Sequence, residues 1–346
     1  MSESLQTEVL VIGWGKAGKT LAGVLGRQGR SVTVVEQSAQ MIGGTCINIA
    51  CVPTKALVHQ SQARRAGDDP SAYFRGAVHS RDTLTATLNA VNRSMLEEVD
   101  QVRLVVGARA EFTGPRQVRV TGGAQALDIT ADAVVINTGS VPRVLDVPGA
   151  DGPRIYDSTT LQHIEPFPPR LAIVGGGPVA LEFAGMFAQF GSQVTLITRG
   201  QRILTGEDDD VAESVHQALA AAGVQIRTGV DVLGMDDDGT HVDVRTSREP
   251  VAADAVLVAA GRVPATEGLA LERAGIDDGP EGEVVVDAGS DEVLGGALHT
   301  VDAQELVNLI ALAMRTGTTA SQLRDGIWTH PSTTEALNEV LASPRD

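Results

Sequence analysis

The feature that most restricts what this chain can fold into is a glycine fingerprint that occurs twice. Glu8-Val9-Leu10-Val11-Ile12 is a short β-branched run. It feeds Gly13-Trp14-Gly15-Lys16-Ala17-Gly18, a helix-like stretch follows through Leu25, and after the break at Gly29 a second strand over 32–35 ends at Glu36. Strand, glycines, helix, strand and acid together make a βαβ dinucleotide-binding pattern. Gly13 allows the tight turn, Gly15 lets the backbone approach a pyrophosphate, Gly18 lets helix pack on strand, and Glu36 would accept hydrogen bonds from a ribose. The same order recurs with a strand over 171–174, the turn Gly175-Gly176-Gly177-Pro178-Val179-Ala180, a helix over 181–190 and a strand over 193–197. Two copies imply two dinucleotides, with Gly175, Gly177 and Ala180 lining the second turn.

The copies differ where the ribose would sit. Gly13 and Glu36 stand 23 positions apart, and so do Gly175 and Thr198, so a threonine replaces the acid in the second copy. Arg199 and Arg202 follow, and cations without a carboxylate suit a 2′-phosphate, which favours NADPH over NADH; two arginines on a solvated surface are the alternative. Each copy then continues in the same way. A helical segment around 84–99 and a strand-rich region over 102–135 lead to Val134-Val135-Ile136-Asn137-Thr138-Gly139-Ser140, where Thr138-Gly139 lets backbone pass close to a nucleotide. The run over 255–260 followed by Gly261 echoes it. This internal repeat predicts paired domains of one architecture, an α/β fold with two Rossmann-like units.

The only cysteines, Cys46 and Cys51, lie in Gly43-Gly44-Thr45-Cys46-Ile47-Asn48-Ile49-Ala50-Cys51-Val52-Pro53-Thr54-Lys55, just past the first fingerprint. In an unbroken helix their Cα atoms would be about 8–9 Å apart. A disulfide needs less than about 7 Å. The pair therefore bridges only if the helix is distorted here or starts after Cys46, and Pro53 favours a start near Cys51. Cys51 would then sit near a positive helix end, which lowers a thiol pKa as redox chemistry requires. A structural bridge is the alternative, but the N-terminus shows no signal-peptide pattern, which points to a reducing, cytoplasmic setting. No metal is expected, since zinc would have to recruit scattered histidines.

A formal charge of −17 and a pI near 4.8 argue against nucleic acid or an anionic membrane as partners. No apolar run approaches the ~18 residues of a membrane span.

On these residues the chain resembles the flavoprotein pyridine nucleotide-disulfide oxidoreductases, the group of glutathione reductase, dihydrolipoyl dehydrogenase and mercuric reductase. Gly-Gly-Thr-Cys-x-Asn-x-x-Cys-x-Pro-x-Lys at 43–55 carries the resemblance, and Gly-Lys-Ala-Gly-Lys-Thr at 15–20 is most similar to the reactive-chlorine-resistance and hypothiocyanous acid reductase branch. The resemblance implies FAD in the first site and NAD(P)H in the second. Electrons would pass through the flavin to a Cys46–Cys51 disulfide and on to a small-molecule acceptor, a thiol, disulfide or reactive-chlorine species. It makes Cys51 the thiolate against the flavin and Cys46 the thiol that meets substrate. Lys55 and Glu182 match a lysine near the flavin and its glutamate partner, and Gly44, Thr45, Ala110, Thr138 and Gly139 match flavin-contacting positions. Thr329-His330-Pro331-Ser332-Thr333-Thr334-Glu335 resembles the family's His-Pro tail, in which His330 is the acid/base oriented by Glu335 and reaches the partner subunit of a homodimer.

The resemblance also has departures. Ala50 stands for a usual glycine, Pro178 for a residue that gates the nicotinamide, and no C-terminal cysteine pair suits mercuric reductase. After Val284-Val285-Val286-Asp287 the family's Gly-Asp strand is missing, and roughly 100 residues, about one domain's worth, are absent as an internal deletion. The expected domains are 1–150 for FAD (incomplete), 151–287 for NAD(P), and 288–346 as an α+β dimerisation remnant, with a strand over 293–299 and a helix near 303–314. The alternatives are a non-catalytic remnant that binds NADPH alone, or a dihydrolipoyl dehydrogenase-like or mercuric reductase-like activity.

Overall fold

A computed structural model describes residues 3–122, 126–207, 209–276, 317–319 and 321–322. The join after Asp287, the remnant strand over 293–299 and helix near 303–314, His330 and Glu335 lie outside these residues. The first unit opens β1 (Glu3–Ile12), α1 (Lys16–Arg27), β2 (Val32–Glu36), α2 (Thr45–Asn48), α3 (Cys51–Ala63), α4 (Pro70–Glu97), β3 (Val102–Val106), β4 (Ala108–Gly114), β5 (Gln117–Gly122) and β6 (Leu127–Ile136). Its sheet has the order β3-β2-β1-β6-β5-β4, with β3, β2, β1 and β6 parallel and β5 and β4 added as an antiparallel meander. β2 is buried at all five positions, as a strand covered on both faces must be.

The second unit repeats the plan. β9 (Arg170–Val174), α5 (Pro178–Phe190), β10 (Gln193–Ile197), α6 (Asp209–Ala221), β11 (Gln225–Arg227) and β15 (Ala255–Val258) form the parallel order β11-β10-β9-β15, extended by β8 (Ile155–Tyr156). Its excursion is a separate antiparallel sheet of β12 (Val232–Asp237), β13 (Val242–Thr246) and β14 (Val251–Ala253). In the first unit one ten-residue strand, β6, serves both the excursion and the parallel sheet. In the second the two are parted at Asp254, whose carboxylate holds Arg170 at 2.6 Å. The α/β class with two Rossmann-like units is thus the observed one.

Two further features set the site. β7 (Ser140–Pro142) pairs antiparallel with β16 (Arg262–Pro264), so the ends of the two echo segments lie together. The chain then returns to the first unit, where Phe112 donates its backbone N–H to Leu269 at 2.8 Å and Leu269 and Leu271 are buried among β4 and β5 side chains. The units also share a core. Leu57 of α3 and Phe74 and Ala77 of α4 pack with Phe183, Phe187 and Phe190 of α5. Among the described residues no helix is long and apolar enough to cross a membrane.

Candidate functional site

Gly13 has φ +100, and a Cβ there would meet the Asn137 carbonyl oxygen at 2.4 Å; one at Gly18 would meet Val11 at 2.6 Å. The first turn is therefore as tight as its sequence requires, and Gly15 caps α1. Glu36 is buried beside it. One carboxylate oxygen accepts the Trp14 backbone N–H at 2.8 Å and the other that of Ser38 at 2.9 Å, which leaves lone pairs for a ribose.

The second residue group closes on this turn. Gly44, with φ +81, is pressed so near that a Cβ would lie 2.6 Å from the Gly15 Cα, and Thr45 begins α2 immediately after it. Gly139 lies beside Thr45, with its own Cβ position otherwise open, and Thr138 precedes it. Gly13, Gly15, Gly44, Thr45, Thr138 and Gly139 thus surround one cradle. Asn137, quoted in the strand-end string but not singled out, joins them: its amide donates to the Gly13 carbonyl at 2.9 Å. Ala110 lies on β4 opposite Val120, with its methyl buried among Phe112 and Val118. Glycine turns whose backbone carries no side chains and a buried carboxylate with spare lone pairs fit the diphosphate and ribose of FAD.

The second turn is built alike. Gly175 has φ +143, with a Cβ position 2.3 Å from the Ala259 carbonyl oxygen, Ala180 is fully buried behind it, and at Gly177 nothing lies within 4 Å of a Cβ. Thr198 is buried with its hydroxyl against Gly176 and accepts the Gly200 backbone N–H at 3.3 Å. Arg199 is exposed. Arg202 is not available as a second phosphate ligand, because its guanidinium is spent on the carbonyls of Leu204 (2.9 Å), Thr205 (3.4 Å) and Glu207 (2.7 Å) and on Asp209 (3.2 Å). Gly261, at φ +108, accepts the Arg143 N–H and so stands across from the Gly139 segment. The open position at Gly177 fits a nicotinamide dinucleotide.

Between the turns lies the cysteine pair. α2 carries Cys46 and stops at Asn48. Ile49 and Ala50 leave helical geometry, Ala50 at φ −125 and ψ −102, and Cys51 is the first residue of α3. The break and restart at Cys51 are as the Pro53 position predicts. Both thiols are free in this structure, Cys46 half-buried and Cys51 exposed. A hydrogen bond from Cys46 lowers the Cys51 pKa to about 6, helped by its own backbone amide and Lys55 against burial and Glu182. Cys46 is pushed up by giving that bond and by burial, although Lys16 and Lys19 pull the other way. The pair is thus polarised, with Cys51 favoured as the thiolate and Cys46 as the thiol. One turn along α3, Lys55 donates to Glu182 of α5, an ion pair that joins the two units.

The pyridine nucleotide-disulphide oxidoreductase family model matches residues 7–292, and the dimerisation-domain model of that family matches 249–341. The chain is 38% identical over 281 residues to the probable pyridine nucleotide-disulfide oxidoreductase RclA of Escherichia coli, covering 81% of this chain and 62% of that protein. It is 31% identical to glutathione reductase of Burkholderia cepacia, covering 90% and 69%. The solved Cu(II) complex of the HOCl-induced flavoprotein disulfide reductase RclA from Escherichia coli superposes with a TM-score of 0.78 at 28% identity, covering 99% of each chain. The chain thus spans about three-fifths of the first of these curated relatives. Members of the family use FAD and NAD(P)H. Two glycine turns of one design, with a polarised dithiol between them and a sequence matched over most of its length, leave one assignment: this chain belongs to the pyridine nucleotide-disulphide oxidoreductase family.

Proposed function

We propose that this protein is an FAD-dependent NAD(P)H:disulfide oxidoreductase that moves two electrons from NADPH to a Cys46–Cys51 disulfide. The dithiol would then reduce a small acceptor, a disulfide or a reactive-chlorine species of the kind the HOCl-induced relative suggests. The observation that carries this reading is the placement of the thiols: Cys46 lies on α2 and Cys51 opens α3 across the break at Ile49–Ala50, one turn from the Lys55–Glu182 ion pair, a setting that lowers the Cys51 pKa and favours its thiolate. Bound flavin and nicotinamide would supply the hydride chemistry. The chain's own residues do the rest. Glu36, Gly13, Gly15, Gly44, Thr45, Thr138 and Gly139 would hold FAD, with Ala110 at its periphery. Gly175, Gly177, Ala180, Thr198 and Gly261 would hold the nicotinamide dinucleotide. Arg199, exposed and without an ion pair among the described residues, is the cation for a 2′-phosphate. Lys55 and Glu182 set the field at Cys51.

Residues 1–150 would form the FAD unit and 151–287 the NAD(P) unit, the latter returning to pack on the first unit at Leu269 and Leu271. Residues 288–346 would serve a homodimer, in which His330, oriented by Glu335, is the acid/base for the Cys46 thiol. A second reading is an NADPH-binding remnant without turnover, which rests on the Gly-Asp strand missing after Asp287.

An absorbance spectrum of the purified protein separates the two. Flavin near unit stoichiometry that gains long-wavelength absorbance on anaerobic NADPH is the expected result. A colourless protein that cannot be reconstituted with FAD would leave the remnant reading.

A further inference from the structure

The break between the cysteines has a cause in the sequence. In a continuous helix the Ile49 carbonyl would accept the N–H of residue 53, but residue 53 is proline, which has no N–H and whose ring clashes with the carbonyl four residues back. The next bond of the series, Thr54 N–H to the Ala50 carbonyl, forms at 2.9 Å. Pro53 thus orphans the Ile49 carbonyl at the point where the chain must bend for Cys46 to meet Cys51.

A partner arrives from the other unit. Gln162 is 1% exposed, and its amide nitrogen donates to the Ile49 carbonyl at 2.9 Å and to the Ser158 carbonyl at 2.7 Å. Its orientation is fixed by Arg81 of α4, a pure donor that lies 3.3 Å from the Gln162 amide oxygen. Arg81 is itself buried, with Asp82 at 2.8 Å and the His163 ring at 3.0 Å. Arg81 therefore turns the oxygen of Gln162 towards itself, which aims the NH₂ group at Ile49.

We propose that Gln162 is a positioning residue for the dithiol: its amide takes the carbonyl that Pro53 orphans and so holds open the break that brings Cys46 to Cys51. The inference rests on the redox reading of that pair. Without the donor, a partly buried carbonyl is left unmade, and the two turns lose the geometry that favours bridging.

The test is the thiol–disulfide equilibrium of the purified full-length protein with dithiothreitol. One Cys46–Cys51 disulfide is reduced as two dithiothreitol thiols close to their own disulfide; quenched samples are alkylated and weighed. Gln162→Glu keeps the shape and can accept from Arg81 but cannot donate to Ile49. It should lower the equilibrium constant for the protein disulfide about tenfold, about 30 mV for a two-electron couple. Gln162→Met should do the same and serves if the glutamate does not fold. Pro53→Ala supplies an N–H at residue 53, and on that background the Gln162 substitutions should lose most of their effect. A shift that matches only the loss of thermal stability, with an unchanged equilibrium constant, overturns the inference and leaves the redox reading intact. A parent protein that never forms the bond overturns both.

Discussion

Lys55 and Glu182 act on the Cys51 thiol with opposite signs, and this gives the residue scale its sharpest prediction. The lysine lowers the thiol pKa and the glutamate raises it, yet the two are ion-paired to each other. Lys55→Met should therefore raise the Cys51 pKa and Glu182→Gln should lower it, both modestly because the lysine is largely solvated. Ultraviolet thiolate absorbance of the reduced protein reads both; shifts in the same direction would refute the assignment. The pH dependence has a fixed sign. The folded pKa lies below that of a free thiol, so thiolate reactivity, and the stability linked to it, are present at high pH and lost as pH falls through about 6. Cys46 and Cys51 stand out in the sequence by their spacing beside the first fingerprint, whereas Lys55 and Glu182 enter only through the family resemblance, since either alone reads as a surface charge. Gln162 was not legible, since its acceptor is 113 positions away and a lone glutamine carries no pattern. Arg202 was misjudged for a related reason: a cation beside a nucleotide turn looks available until the carbonyls of its own loop are seen to claim it.

Glycine turns fix the first element of each unit, and they separate two roles that sequence merges. At Gly13 both the positive φ and the 2.4 Å approach to Asn137 exclude a side chain, so Gly13→Ala should destabilise the protein by about 2 kcal/mol or more, seen as a lower denaturation midpoint. At Gly177 φ is −89 and the space is open. Gly177→Ala should leave the midpoint within about 0.5 kcal/mol, yet weaken NADPH binding in a titration, because the methyl enters the cradle. Equal effects of the two on stability would show that Gly177 does not face a ligand site. Secondary structure was legible wherever a motif bounded it, as at β10. It was cut short at α4, expected around 84–99 but running from Pro70 to Glu97. The start signal was present: Asp69 caps the Ala72 N–H at 2.8 Å and Pro70 opens the helix. What hid it is that the first half buries Phe74, Ala77 and Arg81 on a separate unit, so its polarity pattern is not that of a helix lying on its own sheet.

At the scale of the molecule, the site depends on a seam. The fingerprints are self-contained, but the dithiol is not: Lys55–Glu182 and Gln162–Ile49 both cross from one unit to the other. The apolar part of that seam centres on Phe74, whose ring lies 5.2 Å from Phe167, 5.5 Å from Phe187 and 5.1 Å, edge-on, from Phe190. Removing it costs what any large buried aromatic costs, about 3–5 kcal/mol for Phe→Ala. Phe112 is equally buried but packs among β4–β6 and the returning Leu269–Leu271 segment, in a cluster that contains none of α3, α4 or α5. Phe74→Ala and Phe112→Ala should then lose comparable stability in denaturant. Only Phe74→Ala should also shift the thiol–disulfide equilibrium towards the dithiol, since only it loosens the packing of α3 and α4 on the unit that supplies Glu182 and Gln162. If both variants leave the thiols unchanged at concentrations where the fold persists, the first unit alone positions the cysteines, and the seam contributes stability without tuning the chemistry.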